Sequence, residues 1–174
     1  MAASLRRFAP CACAAAFTST TWALAEPAPP RVGLVGTGWA LKVQLPRFRE
    51  SGLPVAALYS RDLARAKALC AEHGIAGAYD SVPAMARTVD LVSVVCPTHE
   101  RKRLTLEAIA EGKDVLVDKP CALDASEAAA MLAAAEAKGV RHFMDFELRC
   151  VPALVEAKRL IADGAIGDVR VIDF

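Results

Sequence analysis

Three separated stretches of this sequence carry residues that could do chemistry together. Gly36-Thr37-Gly38 follows the apolar run RVGLVG (31–36) and precedes a helical pattern. A G-x-G at such a junction suits a pyrophosphate. The first glycine permits the tight turn and the second lets the backbone approach the anion. The first amides of the helix, those of Trp39 and Ala40, then offer free N–H groups and a partial positive charge. The third position of this dinucleotide fingerprint is Leu41, where Gly or Ala is usual, and its bulk is expected to push the helix slightly off the strand. The same turn also serves as a plain strand-to-helix connection without a ligand.

The second stretch, YSRD at 59–62, closes another apolar run. A site for NAD wants a carboxylate at this strand tip for the ribose hydroxyls. Ser60 and Arg61 stand there instead, and a hydroxyl beside a guanidinium is better matched to a 2′-phosphate. NADP is favoured, with NAD the alternative if Arg61 and Arg65 are solvated and Asp62 serves the ribose. The third stretch is VLVDKP (115–120), in which a strand ends by presenting Lys119 and a proline forbids its continuation. A lysine so placed can orient a substrate hydroxyl or help move a proton during hydride transfer; it can also be an exposed loop residue. VCPTHER (96–101 from its cysteine) ends a further strand at Pro97, with His99 either lining the site or lying in a surface loop.

The elements that must position these residues alternate. Strands are expected at 31–36, 54–60, 76–80, 90–96, 114–119 and 140–146, and helices at about 39–51, 61–73, 82–88, 101–111 and 125–138. Glycine closes the helices at 52, 74, 112, 139 and 164. Asp124 with Glu127 forms a capping-box pattern. Strands apolar almost throughout are buried on both faces, as in parallel sheets covered by helices. Short connections between strand and helix give right-handed βαβ units, hence an α/β fold with a doubly wound parallel sheet.

Lys and Arg number 21 against 20 Asp and Glu, so no single-sign field points to nucleic acid. Four of the six cysteines, 70, 96, 121 and 150, fall outside the first 30 residues without CxxC spacing; they read as buried small hydrophobes, with no disulfide framework and no metal site. Residues 1–30 differ from the rest. Arg6 and Arg7 precede an uncharged stretch to Ala25, and Ala23-Leu24-Ala25 fits a cleavage site. This leader fits a secretory signal or an organelle transit peptide better than cytosol or a stable membrane span, and a proline-rich linker follows it.

RVGLVGTGWALKVQLPRF, VSVVCP, EAIAEGKDVLVDKP and RCVPALVEAKRLIADGAIGDV, in that order, resemble the Gfo/Idh/MocA oxidoreductases from Arg31 to Phe174. The opening GTGWALKVQLPRFRESG resembles the glucose–fructose oxidoreductase domain-containing subgroup. The resemblance implies an NAD(P)-binding Rossmann domain over 31–148 and the start of a C-terminal α/β substrate domain over 149–174. That start comprises a helix around 152–163 and a strand around 168–174. It implies hydride transfer to or from a sugar-like or polyol substrate, with a homo-oligomer formed through a complete C-terminal domain. The family's Glu-Lys-Pro falls on Asp118-Lys119-Pro120, its substrate-side arginine on Arg149, an accompanying asparagine on Glu147, and a frequent histidine on Arg101. Gly36, Thr37, Gly38, Trp39 and Ala40 would then hold the pyrophosphate, and Ser60 and Arg61 the adenosine end. Pro97 and Thr98 would line the nicotinamide ribose. Lys119 would be catalytic, and Cys96, Asp118 and Arg149 complete the cofactor-facing set. The family's Asp…His pair has no counterpart, so a non-catalytic dinucleotide-binding or assembly protein, or an inactive fragment lacking the substrate site, is the rival expectation.

Overall fold

The computed structural model describes residues 28–173. The leader expected over the first 30 residues lies almost wholly outside them. Six strands alternate with helices: β1 (Val32–Val35), β2 (Val55–Tyr59), β3 (Gly77–Tyr79), β4 (Leu91–Val94), β5 (Asp114–Asp118) and β6 (His142–Asp145). The helices are α1 (Leu45–Glu50), α2 (Leu63–His73), α3 (Val82–Ala86), α4 (Thr98–Ala110), α5 (Ala125–Lys138) and α6 (Pro152–Ala162). A π-helical turn, Ala40–Gln44, opens α1, and a 3-10 turn, Glu147–Cys150, precedes α6.

The sheet has the order β3-β2-β1-β4-β5-β6, and its ladders are all parallel. The chain winds outward from β1 through β2 to β3, then returns to β4 on the other side and winds the opposite way. The crevice between β1 and β4 is therefore a topological switch point, where ligands bind in open α/β sheets. The register is tight. Val35 pairs with Tyr59 on one side and Val94 on the other, and Val94 pairs with Val117. The four residues stand in one row, so the segments that follow them leave the sheet along a single rim.

The core lies on both faces of the sheet. On one, Val35, Val94, Val115 and Val117 pack with Met85, Leu104 and Ile109 from α3 and α4. On the other, Leu34 and Leu58 pack with Leu41, Leu45 and Cys70 from the α1 and α2 side. Fully buried side chains of this size contribute about 1.5–3 kcal/mol each. Leu41 is buried, and the helix opens with a π turn, wider than an α turn, where that side chain enters the core. Burial on both faces holds for the central strands, whereas β5 alternates and β6 is half-exposed at the sheet edge.

Local signals set most boundaries. Gly52, Gly74, Gly112, Gly139 and Gly164 all take positive φ. Asp124 caps α5, accepting from the Glu127 amide at 2.9 Å and from the Ser126 hydroxyl at 2.7 Å, while the Glu127 carboxylate accepts from the Leu123 amide. Two expectations need correction. Helix α4 begins at Thr98, three residues before its expected start, because Pro97, whose ring fixes φ, stands directly at its N-cap. The strand expected over 168–174 is absent: residues 168–173 are irregular, and Val171 is 81% exposed. Strand conformation is held by ladder bonds to a neighbour, and among the described residues no strand lies beside this segment. Helix α6 likewise leaves Leu154, Val155, Leu160 and Ile161 exposed.

The Asp124 carboxyl is held below the ordinary carboxylate range, chiefly by the Glu127 amide. Its capping contribution is present above the unfolded pKa and is lost as pH falls through the lowered folded value. Asp124→Ala should lower the urea midpoint at unchanged slope. The deficit should shrink at acidic pH; a deficit independent of pH would contradict the role given to the cap.

Candidate active site

The glycine turn is built by two different constraints. Gly36 has φ of 132°, and a Cβ there would stand 2.0 Å from the Val95 carbonyl oxygen. Glycine is thus required for β1 to turn while touching the backbone that follows β4. At Gly38 a Cβ would meet nothing within 4 Å. That space is a cleft of ≈ 400 Å³. Its floor is apolar, from Val35, Val95 and Leu104, and its polar lining includes Thr37, Ser60, Arg61, Arg65 and Glu100. The first N–H groups of the helix that follows Gly38 have no intrahelical carbonyl to receive them. Trp39, 53% exposed, stands at the cleft's edge.

At the tip of β2 the carboxylate is already committed. Asp62 caps α2, accepting from the Arg65 amide at 3.1 Å, while the Ser60 hydroxyl accepts from the Asp62 amide. Asp62 does not line the cleft, whereas Arg61 and Arg65 do. The acid in the lining, Glu100, is ion-paired with Arg103, and that hydrogen bond holds its carboxyl below the ordinary range. Arg103 also donates to Glu107 at 2.7 Å. The uncommitted charge of the lining is therefore cationic.

Two strands from β1, after β5, Lys119 leaves the same rim. The Lys119-Pro120 peptide is cis. Its Nζ lies 2.9 Å from Glu147 Oε1, and that partner raises the lysine pKa above its ordinary value. Lys119, Phe146, Glu147, Leu148 and Arg149 line a second cleft of ≈ 440 Å³. A smaller recess of ≈ 220 Å³ shares the lining residue Trp39 with the first and Glu147 with the second. Inside this recess Gln44, 6% exposed, donates to Asp145 Oδ2 at 2.7 Å and accepts from the Ser93 hydroxyl at 2.7 Å. The helix of the glycine turn is thus bonded to the end of β6.

Of the residues expected from the sequence, Gly36, Thr37, Gly38, Trp39, Ser60, Arg61, Cys96 and Pro97 line one cleft. Ala40 is fully buried beneath it, and Thr98 begins α4 outside the lining. Lys119 and Arg149 border the second cleft, not the first. Asp118 borders neither; its carboxylate accepts from the Lys119 amide at 2.8 Å and pairs with Arg101. His99 is exposed and outside the lining. Cys96 is half-buried, and burial pushes its thiol pKa up.

Sequence reasoning missed Arg65 as a lining residue, and it missed Glu100, Gln44, Asp145 and above all Arg101. Arg101 is hidden in the charged run HERKR. Its spacing to Leu104, Thr105 and Ala108 marked it as one of the inward face of α4. Among the described residues the four cysteines are free, no His/Cys/Asp/Glu group is placed to hold a metal, and no helix is long and apolar enough to cross a membrane.

Among the described residues, open space over Gly38, unpaired helix amides and two free guanidiniums fit a dinucleotide. The two glycines should separate in experiment. Gly36→Ala should destabilise by more than about 3 kcal/mol. Gly38→Ala should leave the melting temperature unchanged and weaken NADPH binding by about tenfold or more. Equal effects of the two substitutions on stability would contradict this geometry.

The comparisons with known proteins agree with the fold. The model of an oxidoreductase family with an NAD-binding Rossmann fold, GFO_IDH_MocA, matches residues 30–146. A trans-1,2-dihydrobenzene-1,2-diol dehydrogenase from Oryctolagus cuniculus is 37% identical over 142 residues, covering 80% of this chain and 42% of the relative. An NAD binding oxidoreductase from Klebsiella pneumoniae superposes with a TM-score of 0.74 at 30% identity, over 80% of this chain and 40% of that one. A 3-ketoreductase from Actinomadura kijaniata, solved with TDP-benzene and NADP, superposes with a TM-score of 0.74 at 28% identity, over 82% of this chain and 46% of that one. The chain spans less than half the length of these relatives. It belongs to the Gfo/Idh/MocA oxidoreductase family and carries that family's NAD-binding Rossmann domain.

Proposed function

We propose that this chain is the cofactor-binding part of an NAD(P)-dependent oxidoreductase that moves a hydride between the nicotinamide and a sugar-like or polyol alcohol. The observation that carries this reading is the common rim: the glycine turn, the arginines after β2 and Lys119 all follow strands in one parallel register. The relatives support the substrate class. One is named for a dihydrodiol.

When bound, the nicotinamide supplies the hydride donor or acceptor. The chain's own residues do the rest. Thr37, Gly38 and the first helix amides receive the pyrophosphate. Ser60, Arg61 and Arg65 face the adenosine end, where two guanidiniums and no free carboxylate favour a 2′-phosphate. Pro97 and Cys96 wall the cleft from the side of β4. Lys119, kept protonated by Glu147, is a hydrogen-bond donor and fixed positive charge rather than a base. It orients a hydroxyl or carbonyl oxygen of the substrate and stabilises negative charge that develops there. Arg149, bordering the same cleft, is placed to meet the substrate.

Two outcomes test this reading. The chain should bind NADPH more tightly than NADH, and Arg61→Ala should erase most of the difference, about tenfold for one charge-assisted contact. Equal affinities before mutation, read by cofactor fluorescence, would remove the assignment. In the full-length protein Lys119→Ala should lower kcat by about a hundredfold or more while changing NADPH affinity little. Unchanged turnover would reduce Lys119 to a loop residue.

A further inference from the structure

We propose that Arg101 is the positioning residue of Lys119, a role that rests on the reading of Lys119 as a group facing cofactor and substrate. Arg101 lies in the first turns of α4 and is 4% exposed. Its Nη1 donates to the carbonyl of Asp118 at 2.9 Å and also to that of Pro120. Its Nη2 donates to the carbonyl of Cys96 at 2.6 Å and lies 3.7 Å from Asp118 Oδ2. The bonded carbonyls of Asp118 and Pro120 flank Lys119 on either side. The third, at Cys96, belongs to the wall of the nucleotide cleft.

These carbonyls lie at and beyond the ends of β4 and β5, where ladder partners run out. One planar guanidinium reaches all of them at fixed angles, which a lysine ammonium at a single point cannot do. The arrangement is costly. Arg101 sits on a helix face whose neighbours Leu104, Thr105 and Ala108 are buried, and its own Nε is sealed from solvent without a partner. An apolar residue would pack there without leaving a buried donor unpaired. A buried arginine at this place gives the rim something packing cannot: a fixed spacing between the cleft wall and the backbone that carries Lys119. The side chain of Lys119 then reaches out over Glu147, with Asp118 and Asp145 as the other charges acting on it.

The test needs no substrate. Lysines of the full chain are labelled by reductive ¹³C-methylation, and the Lys119 signal is assigned by its loss in Lys119→Arg. In the wild-type chain this signal should stand apart from those of the solvated lysines and titrate at higher pH. In Arg101→Gln it should move toward the solvated lysines and titrate lower, because the backbone that aims it at Glu147 is released, while NADPH affinity changes by less than about threefold. Arg101→His, which keeps one ring N–H donor but carries no charge at the pH where a lysine titrates, should lie between.

A Lys119 signal unmoved in folded Arg101→Gln and Arg101→His would overturn the proposal. So would loss of folding in both variants, which would make Arg101 a support of the whole fold rather than of this lysine. NADPH added to the wild-type chain should shift the Lys119 signal. Failure of that shift alone would contradict the functional reading and leave the clasp standing.

Discussion

The parallel register of the central strands is the constraint on which the rest depends. Val35, Tyr59, Val94 and Val117 are held in one row by ladder bonds. A slip of one residue in any strand would turn its whole apolar set to the opposite face. The packing of Leu34 and Leu58 on one side and of Val35, Val94 and Val117 on the other therefore fixes where each strand ends. Gly36 belongs to the same constraint, since only a residue without Cβ lets β1 turn against Val95. The polar residues of the rim inherit their positions from this apolar frame.

On that frame the charges divide into committed and uncommitted groups. Asp62 is spent on the α2 cap, Glu100 on Arg103, and Asp118 on Arg101 and the Lys119 amide. Arg61 and Arg65 remain in the first cleft, with unpaired helix amides beside them. At the far end of the rim Lys119 is paired with Glu147, both half-exposed, so the pair is screened by solvent and can reorganise when a ligand arrives. Gln44 and Arg101 are the buried polar links: one ties α1 to the end of β6, the other ties β4 to β5.

Much of this was legible in the sequence because it is local. The G-x-G turn, the glycine stops, the Asp124 cap and the continuous apolar strands each follow from a few adjacent residues, and the parallel, doubly wound sheet follows from the alternation of strand and helix, though the order of its strands does not. What stayed hidden depends on residues far apart. Arg101 looks like part of a solvated charge run, and only its helical spacing to Leu104, Thr105 and Ala108 sets it on the buried face of α4. Gln44 and Asp145 are 101 positions apart and meet only in the folded chain. The strand expected over 168–174 had the right composition, but conformation there requires a partner strand, which composition does not supply. Ala40 and Thr98 were named with the cleft because they adjoin its turns; helix geometry places them outside the lining.

On this reading a single cofactor spans both clefts, from the tips of β1, β2 and β4 to the tip of β5. That span is tested most directly by titrating NADPH into the isotopically labelled chain and following its amide resonances. Shifts should be confined to the carboxyl rim, at Gly36 to Trp39, at Ser60 and Arg61, at Cys96, and at Lys119 in the same titration. Shifts at the glycine turn with none at Lys119, or shifts centred on the opposite edge of the sheet, would contradict it.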